Sequence, residues 1–258
     1  MTNETPGYVF SGESSDESSR LGALETLWDP GSKQVLSELG VGPGWRCLEI
    51  GPGGGSLVEC IAERGAAVTA IDIDTRFIDH LDSELITVRR ADIREEELPR
   101  AEFDLVHARL VLEHLSDRRE LLDKLAATLQ PGGWMVIEDM DWTTFGLIDD
   151  SGGAFSRVAE VVIDFMARTG FEPNYGSQVI GDLVDAGLVD VRGEGRCRVI
   201  DSRSTEFDFF RLTFDSLREA LVGAGLVTNE EAAAMAAGFA QDVRLCTPLM
   251  VAGIGRRA

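Results

Sequence analysis

Apolar residues along this chain follow two alternating periods. Short aliphatic runs at Arg46–Ile50, at Val68–Ile71 closing on Asp72, at about 86–90, at Phe103–His107 and at Trp134–Glu138 read as strands. Helical spacing fills the gaps. Leu57, Val58 and Ile61 share one face of a helix that ends at Gly65, and Leu121, Leu122, Leu125 and Leu129 share another behind Asp117, stopped by Pro131-Gly132-Gly133. Asp74 is placed to cap a short helix with Phe77, Ile78 and Leu81 inward, and another short helix holds Leu110 to Leu115. Upstream, Leu21, Leu24, Leu27 and Trp28 predict a helix ending at Pro30, followed by a second at about 32–39 closed by Gly40. Strand and helix alternating through short turns specify an α/β fold, a parallel sheet covered by helices.

After the fifth strand the rhythm breaks. A helix near 153–168 reads as an insertion, and another near 177–186 precedes a sixth strand at about 188–199. A helical pair follows at about 203–222 and 229–242, the second opened by Thr228 and Glu231 at capping-box spacing. A seventh strand, about 243–255, closes the chain. Phe207, Phe210, Phe214, Leu217 and Leu221 form one helical stripe, a core pattern with part left to roof an apolar cavity or meet a second subunit. The expected division is an N-terminal lid at 1–30 and one domain at 31–258, with helical cap insertions at about 145–170 and 203–242. Residues 1–19, rich in Ser, Glu, Asp and Gly, read as loosely ordered.

The first strand runs into Leu48-Glu49-Ile50-Gly51-Pro52-Gly53-Gly54-Gly55-Ser56. Glycines strip side chains from a strand-to-helix turn and permit positive φ, so a ligand can lie against backbone while the next helix offers free N–H groups. Asp72 follows about 20 residues later, where a nucleotide-binding βαβ unit places its ribose carboxylate. The dinucleotide fingerprint wants Gly or Ala at its sixth position, and Ser56 stands there. Glu49 would repel a pyrophosphate and attract an ammonium and a sulfonium. A generic dinucleotide turn is the alternative.

On these residues the chain resembles the class I S-adenosylmethionine-dependent methyltransferases, whose first motif reads E/D-x-G-x-G-x-G. The resemblance covers about 40–255, most strongly 46–140. It implies a Rossmann-like, seven-strand, mostly parallel sheet with strands six and seven as an antiparallel edge hairpin. It implies S-adenosylmethionine as cofactor and S-adenosylhomocysteine as product. Glu49 would act on the cofactor's amino-acid end, Gly51 and Gly53 would pass beneath it, and Asp72, with Ile73 beside it, would grip the ribose. Asp92 would take the adenine amino group and Ile93 would offer a backbone N–H. The stretch Val106 to Leu115, with Pro131-Gly132-Gly133-Trp134, resembles bacterial small-molecule methyltransferases of secondary metabolism.

Charge narrows the acceptor. With 24 basic and 45 acidic residues in 258, the formal charge is −21, which argues against nucleic acid and against an anionic membrane surface. A 44% apolar fraction is ordinary for a globular protein. Cys47, Cys60, Cys197 and Cys246 lack metal spacing, and Cys47 and Cys197, in apolar strand patterns, read as free buried thiols. No signal-like segment or membrane-length apolar run is visible, so the expected location is the cytoplasm, as a monomer or homodimer.

His107 and His114, at the end of the fourth strand and on the helix after it, are the candidate general bases, His114 the stronger. His107 also borders the cofactor's methionine portion, and Arg20 is a candidate for the cofactor carboxylate. Glu113-His114 lacks the first acid of an E-x-x-E-H metal motif, so no metal is expected. Glu138, Asp139 and Asp141 are expected just beyond strand five, at the substrate mouth. The expected activity is methyl transfer to an O, N or C nucleophile of a small, largely apolar metabolite, as in antibiotic biosynthesis. The alternatives are a related enzyme that keeps the cofactor but catalyses a non-methyl reaction such as cyclisation, and a non-catalytic cofactor-binding partner.

Overall fold

Strands at the centre of the sheet are buried on both faces, and their side chains alternate between two cores. The computed structural model describes residues 14–148 and 153–258. Most of the serine-rich start, and part of the first cap insertion, lie outside those residues. In chain order the elements are α1 (Ser14–Leu39), β1 (Arg46–Ile50), α2 (Ser56–Glu63), β2 (Ala67–Asp72), β3 (Ile86–Arg90), β4 (Phe103–Arg109), α3 (Arg118–Thr128), β5 (Leu129–Asp141) and β6 (Gly146–Leu147). Then come α4 (Ala154–Ala167), α5 (Tyr175–Asp185), β7 (Val189–Arg196), β8 (Val199–Asp201), α6 (Thr205–Gly223), α7 (Asn229–Phe239), β9 (Arg244–Cys246) and β10 (Leu249–Arg256).

The larger of two units holds Trp28–Thr143, Glu172–Arg196 and Leu249–Ala258. Its seven strands run in the order β3-β2-β1-β4-β5-β10-β7. β1 to β5 are parallel, and β10 lies antiparallel between β5 and β7, the edge hairpin that the resemblance implies. Leu48, Ile50, Val106, Ala108 and Ile137 face one core with Leu122 and Leu125 of α3 and Val179 of α5. Cys47, Leu105 and Val136 face the other, against Val35 and Leu36 of α1 and Val58 and Ile61 of α2. This period-two alternation explains why parallel strands read as nearly continuous apolar runs.

The second unit comprises residues up to Leu27, Thr144–Phe171 and Cys197–Pro248. It holds the antiparallel sheet β6-β9-β8, which the sequence analysis did not foresee, with α4, α6 and α7. Its core is aromatic. Phe239 meets Phe207 and Phe214 edge-on, with ring centroids 5.4 and 5.9 Å apart. The predicted stripe of α6 is therefore core, all five residues being buried. Thr228 and Glu231 form the expected capping box on α7.

Four expectations are corrected. α1 is one helix that passes through Pro30. The proline removes an N–H and costs about 3 kcal/mol, but the buried stripe continues unbroken through Trp28, Val35 and Leu36. The short helix expected behind Asp74 shrinks to one 3₁₀ turn, Asp79–Leu81, with Ile78 buried beside it, and the Asp74 carboxylate holds Arg76 Nε at 2.8 Å instead of capping it. β5 begins at Leu129 and extends through the Pro-Gly-Gly segment to Asp141. The sixth and seventh strands each split, into β7 and β8 and into β9 and β10. The breaks fall at residues 197–198 and 247–248, where the Thr247 N–H donates to the Arg198 carbonyl at 2.9 Å and Pro248 has no N–H to give.

Candidate active site

The sheet reverses its winding between β1 and β4, and open α/β sheets bind ligands outside the carboxyl ends of strands at such a point. β1 delivers Glu49 there and β4 delivers His107, paired at the same register. Both carboxylate oxygens of Glu49 lie 2.8–2.9 Å from His107 Nδ1, and both residues are buried. His107 Nε2 has no hydrogen-bond partner among the described residues. Burial opposes charge on the imidazole, but the charge and hydrogen bond of Glu49 outweigh it and raise the pKa of His107 above its ordinary value.

The glycine turn leaves β1 beside this pair. Gly51, Gly53 and Gly55 take φ values of +63°, +59° and +94°, and the Gly51 N–H donates to the Ile71 carbonyl at 2.9 Å. A side chain at Gly51 would collide with Val111, its Cβ 2.4 Å from a methyl carbon. At the end of β2, Asp72 accepts the Asp74 N–H at 2.9 Å, and the N–H groups of Gly53 and Ile73 also turn toward its carboxylate. Its pKa is raised nonetheless, because desolvation is the larger effect. Ile73 is exposed.

Asp92 sits after β3, clasped by Arg94 through Nε contacts of 2.9 and 3.1 Å, and the hydrogen bonding of that arginine lowers its pKa. Ile93 is buried, and its carbonyl accepts Lys124 Nζ at 2.8 Å. His114 is half-buried, its Nε2 3.6 Å from Glu113 Oε1. Leu110 reverses the chain with a φ of +56°, a left-handed backbone that bulky residues rarely adopt, and so swings Leu112–His114 off the end of β4. Arg20 lies in the second unit, forked onto Glu17 at 2.7 and 2.8 Å and stacked over Phe209.

The acidic trio departs from expectation. Glu138, Asp139 and Asp141 lie within β5 and are buried. Glu138 receives Arg196 at 3.0 Å and the Ser32 hydroxyl. Burial would raise its pKa, but the charges of His107, Arg196 and Arg109 pull it below the ordinary value. On the opposite face, Glu113 accepts the Met140 N–H at 3.0 Å, and burial lifts its pKa to about 8. Asp139 is raised well above its ordinary value by the same desolvation and by the nearby Glu113.

Sequence reasoning missed the polar lattice that pins α1 to the sheet. Arg109 donates to Asp29 and Ser32 at 3.0 Å each, and Asp29 also accepts the Ser56 hydroxyl at 3.0 Å from the first residue of α2. The available signal was a charge at the end of one predicted strand, Glu138, and another, Arg109, two residues beyond the end of its neighbour.

Comparison with known proteins decides the family. A methyltransferase-domain family model matches residues 18–176. The chain belongs to the class I S-adenosylmethionine-dependent methyltransferases. It is 33% identical over 147 residues to methyltransferase str2 of Strobilurus tenacellus, covering 55% of this chain and 52% of that protein. It is 35% identical over 111 residues to the ubiquinone biosynthesis O-methyltransferase of Rhodopseudomonas palustris, covering 40% and 44%. The chain thus spans about half the length of these curated relatives. Among solved structures, phosphoethanolamine N-methyltransferase 2 of Haemonchus contortus, in complex with S-adenosyl-L-methionine, shares the fold with a TM-score of 0.56 at 16% identity, covering 92% of this chain and 56% of that one.

The cofactor of this family is S-adenosylmethionine, and the methyltransferase site fits it. Two carboxylates, Glu49 and Asp72, flank the glycine turn and are acceptors of the kind an ammonium and ribose hydroxyls require. Between them the turn carries only glycine and proline, and the buried His107 Nε2 is an unused polar atom of the same cluster.

Proposed function

We propose that this chain transfers a methyl group from S-adenosylmethionine to an O, N or C nucleophile of a small, largely apolar metabolite, in cytoplasmic secondary metabolism such as antibiotic biosynthesis. The carrying observation is the Glu49–His107 pair beside an intact glycine turn at the point where the sheet reverses. The bound cofactor supplies an electrophilic methyl on a sulfonium, already an excellent leaving group. Glu49 binds its ammonium, held in place by His107. Asp72 binds the ribose hydroxyls, and Ile73 offers an apolar surface beside them. Asp92 and the backbone of Ile93 meet the adenine edge. Gly51 and Gly53 let the ligand approach backbone. Alignment of acceptor and methyl supplies much of the rate, and His114 takes the acceptor's proton.

Calorimetry with S-adenosylmethionine, S-adenosylhomocysteine and NAD tests the cofactor, and tighter NAD binding overturns it. Incubation with methyl-labelled cofactor and bacterial metabolite pools tests the reaction. Label in a product, with matching S-adenosylhomocysteine, is the expected result. A product formed without cofactor consumption would assign the chain to a non-methyl reaction such as cyclisation.

A further inference from the structure

Two thiols far apart in sequence meet in the second unit. Cys197 Sγ and Cys246 Sγ lie 3.4 Å apart across 49 residues. Cys197 follows β7 directly and is exposed, against the expectation of a buried thiol; Cys246 ends β9 and is partly buried. The backbone around them is held in register. Cys246 pairs with Val199 of β8, the Thr247 N–H donates to the Arg198 carbonyl at 2.9 Å, and the Arg198 N–H donates to the Thr247 hydroxyl at 3.0 Å. The Cys197 thiol itself reaches the Thr247 carbonyl at 3.4 Å. Two sulfurs fixed this way need only a small side-chain rotation to reach bonding distance, about 2 Å.

We propose that Cys197 and Cys246 are a reversible oxidation site, closing to an intramolecular disulfide with hydrogen peroxide as oxidant. The exposed Cys197 reacts first. Its thiolate attacks one peroxide oxygen, the O–O bond breaks, and the hydroxide released takes a proton to leave as water. The product is a sulfenic acid on Cys197. The sulfur of Cys246 then attacks that sulfenic sulfur, losing its thiol proton, and hydroxide leaves to become a second water. Two thiols are oxidised by two electrons and one peroxide is reduced to two waters. Burial raises the thiol pKa of Cys246, helped by its contact with Cys197, which leaves the exposed Cys197 to react first with peroxide. The bond closes a loop holding β8, α6 and α7, so it restricts the unfolded chain and stabilises the second unit. Cys47, buried in the other unit, and the half-buried Cys60 are internal controls.

The 258-residue chain is treated with a small excess of peroxide, alkylated and mapped by mass spectrometry. The expected result is a Cys197–Cys246 cross-linked peptide lacking two hydrogen atoms, reversed by dithiothreitol, while Cys47 stays a thiol. Oxidised protein melts several degrees higher than reduced protein, and the shift vanishes in Cys197→Ser and in Cys246→Ser. A sulfenic-acid probe labels Cys197 in the Cys246→Ser protein and leaves Cys246 unlabelled in the Cys197→Ser protein. Over-oxidation of Cys197, or its cross-linking to a second chain, while Cys246 remains a thiol would overturn the proposal.

Discussion

Glu49 and His107 occupy the same register on neighbouring parallel strands, and their side chains meet within 2.9 Å at a buried point beside the glycine turn. The pair gives a carboxylate inside the sheet a hydrogen-bonding partner on the next strand. It also ties the stability of this buried pair to the protonation state of His107.

His107→Ala should therefore damage folding before chemistry. Removing one partner of a buried ion pair leaves the other charge uncompensated, typically about 3–5 kcal/mol. His107→Gln, which can still donate to Glu49, should lose less. The folded-state pKa of His107 is raised, so its contribution is full below the ordinary value of 6.5 and is lost as pH rises through the higher folded value. Urea denaturation from pH 6 to 9 checks this: wild type should lose more stability across that window than His107→Gln. Parallel slopes would refute the pairing.

Glu113 predicts a second, separable slope. Its folded pKa of about 8 lies above its unfolded value, so the folded state binds the extra proton and stability falls as pH climbs from the carboxylate range through about 8. Glu113→Gln keeps an acceptor for the Met140 N–H and removes the charge. Relative to wild type it should gain on the order of 1–3 kcal/mol between pH 5 and pH 9. A constant difference across that range would show that Glu113 is ionised throughout.

Gly51 carries two independent penalties. Gly51→Ala places a Cβ against Val111 and puts a side chain on a left-handed backbone. The backbone cost alone is about 1–2 kcal/mol. The double substitution Gly51→Ala with Val111→Ala should recover only the steric part. S-adenosylhomocysteine affinity, measured calorimetrically, should fall in the single variant and return incompletely in the double. Full recovery would mean that the φ angle at this turn is not required for binding.

Much of this was legible in the sequence because the cues are local. The strand ends, the glycine turn and the spacing of Asp72 follow from local patterns within one βαβ unit, while the roles expected of Glu49 and Asp92 are what the family resemblance implies. What was missed is non-local. Pro30 ends a helix by propensity, but the buried stripe through Trp28, Val35 and Leu36 overrides it. Glu138 and Asp139 read as a solvated mouth because no single strand shows the partner of a charge. Arg196 comes from β7 and Ser32 from α1, both far away in sequence. The small sheet β6-β9-β8 was invisible for the same reason, its strands being two or three residues long.

The two histidines divide the remaining question between them. His107 is sealed at Nδ1 by Glu49 and is 1% exposed, so it is poorly placed to take a proton from an acceptor that must come and go. His114 is only half-buried, on a turn that the left-handed Leu110 swings away from the strand end. A general base typically contributes about 10²- to 10⁴-fold to the rate. His114→Ala should lower kcat by that factor and leave both S-adenosylhomocysteine affinity and melting temperature nearly unchanged. His107→Ala should do the reverse, losing stability and cofactor affinity while the folded fraction keeps much of its turnover. Turnover corrected for folded protein, with calorimetry on the same samples, separates these outcomes. Near-normal kcat in His114→Ala would remove the base assignment and leave alignment of acceptor and methyl as the main source of rate.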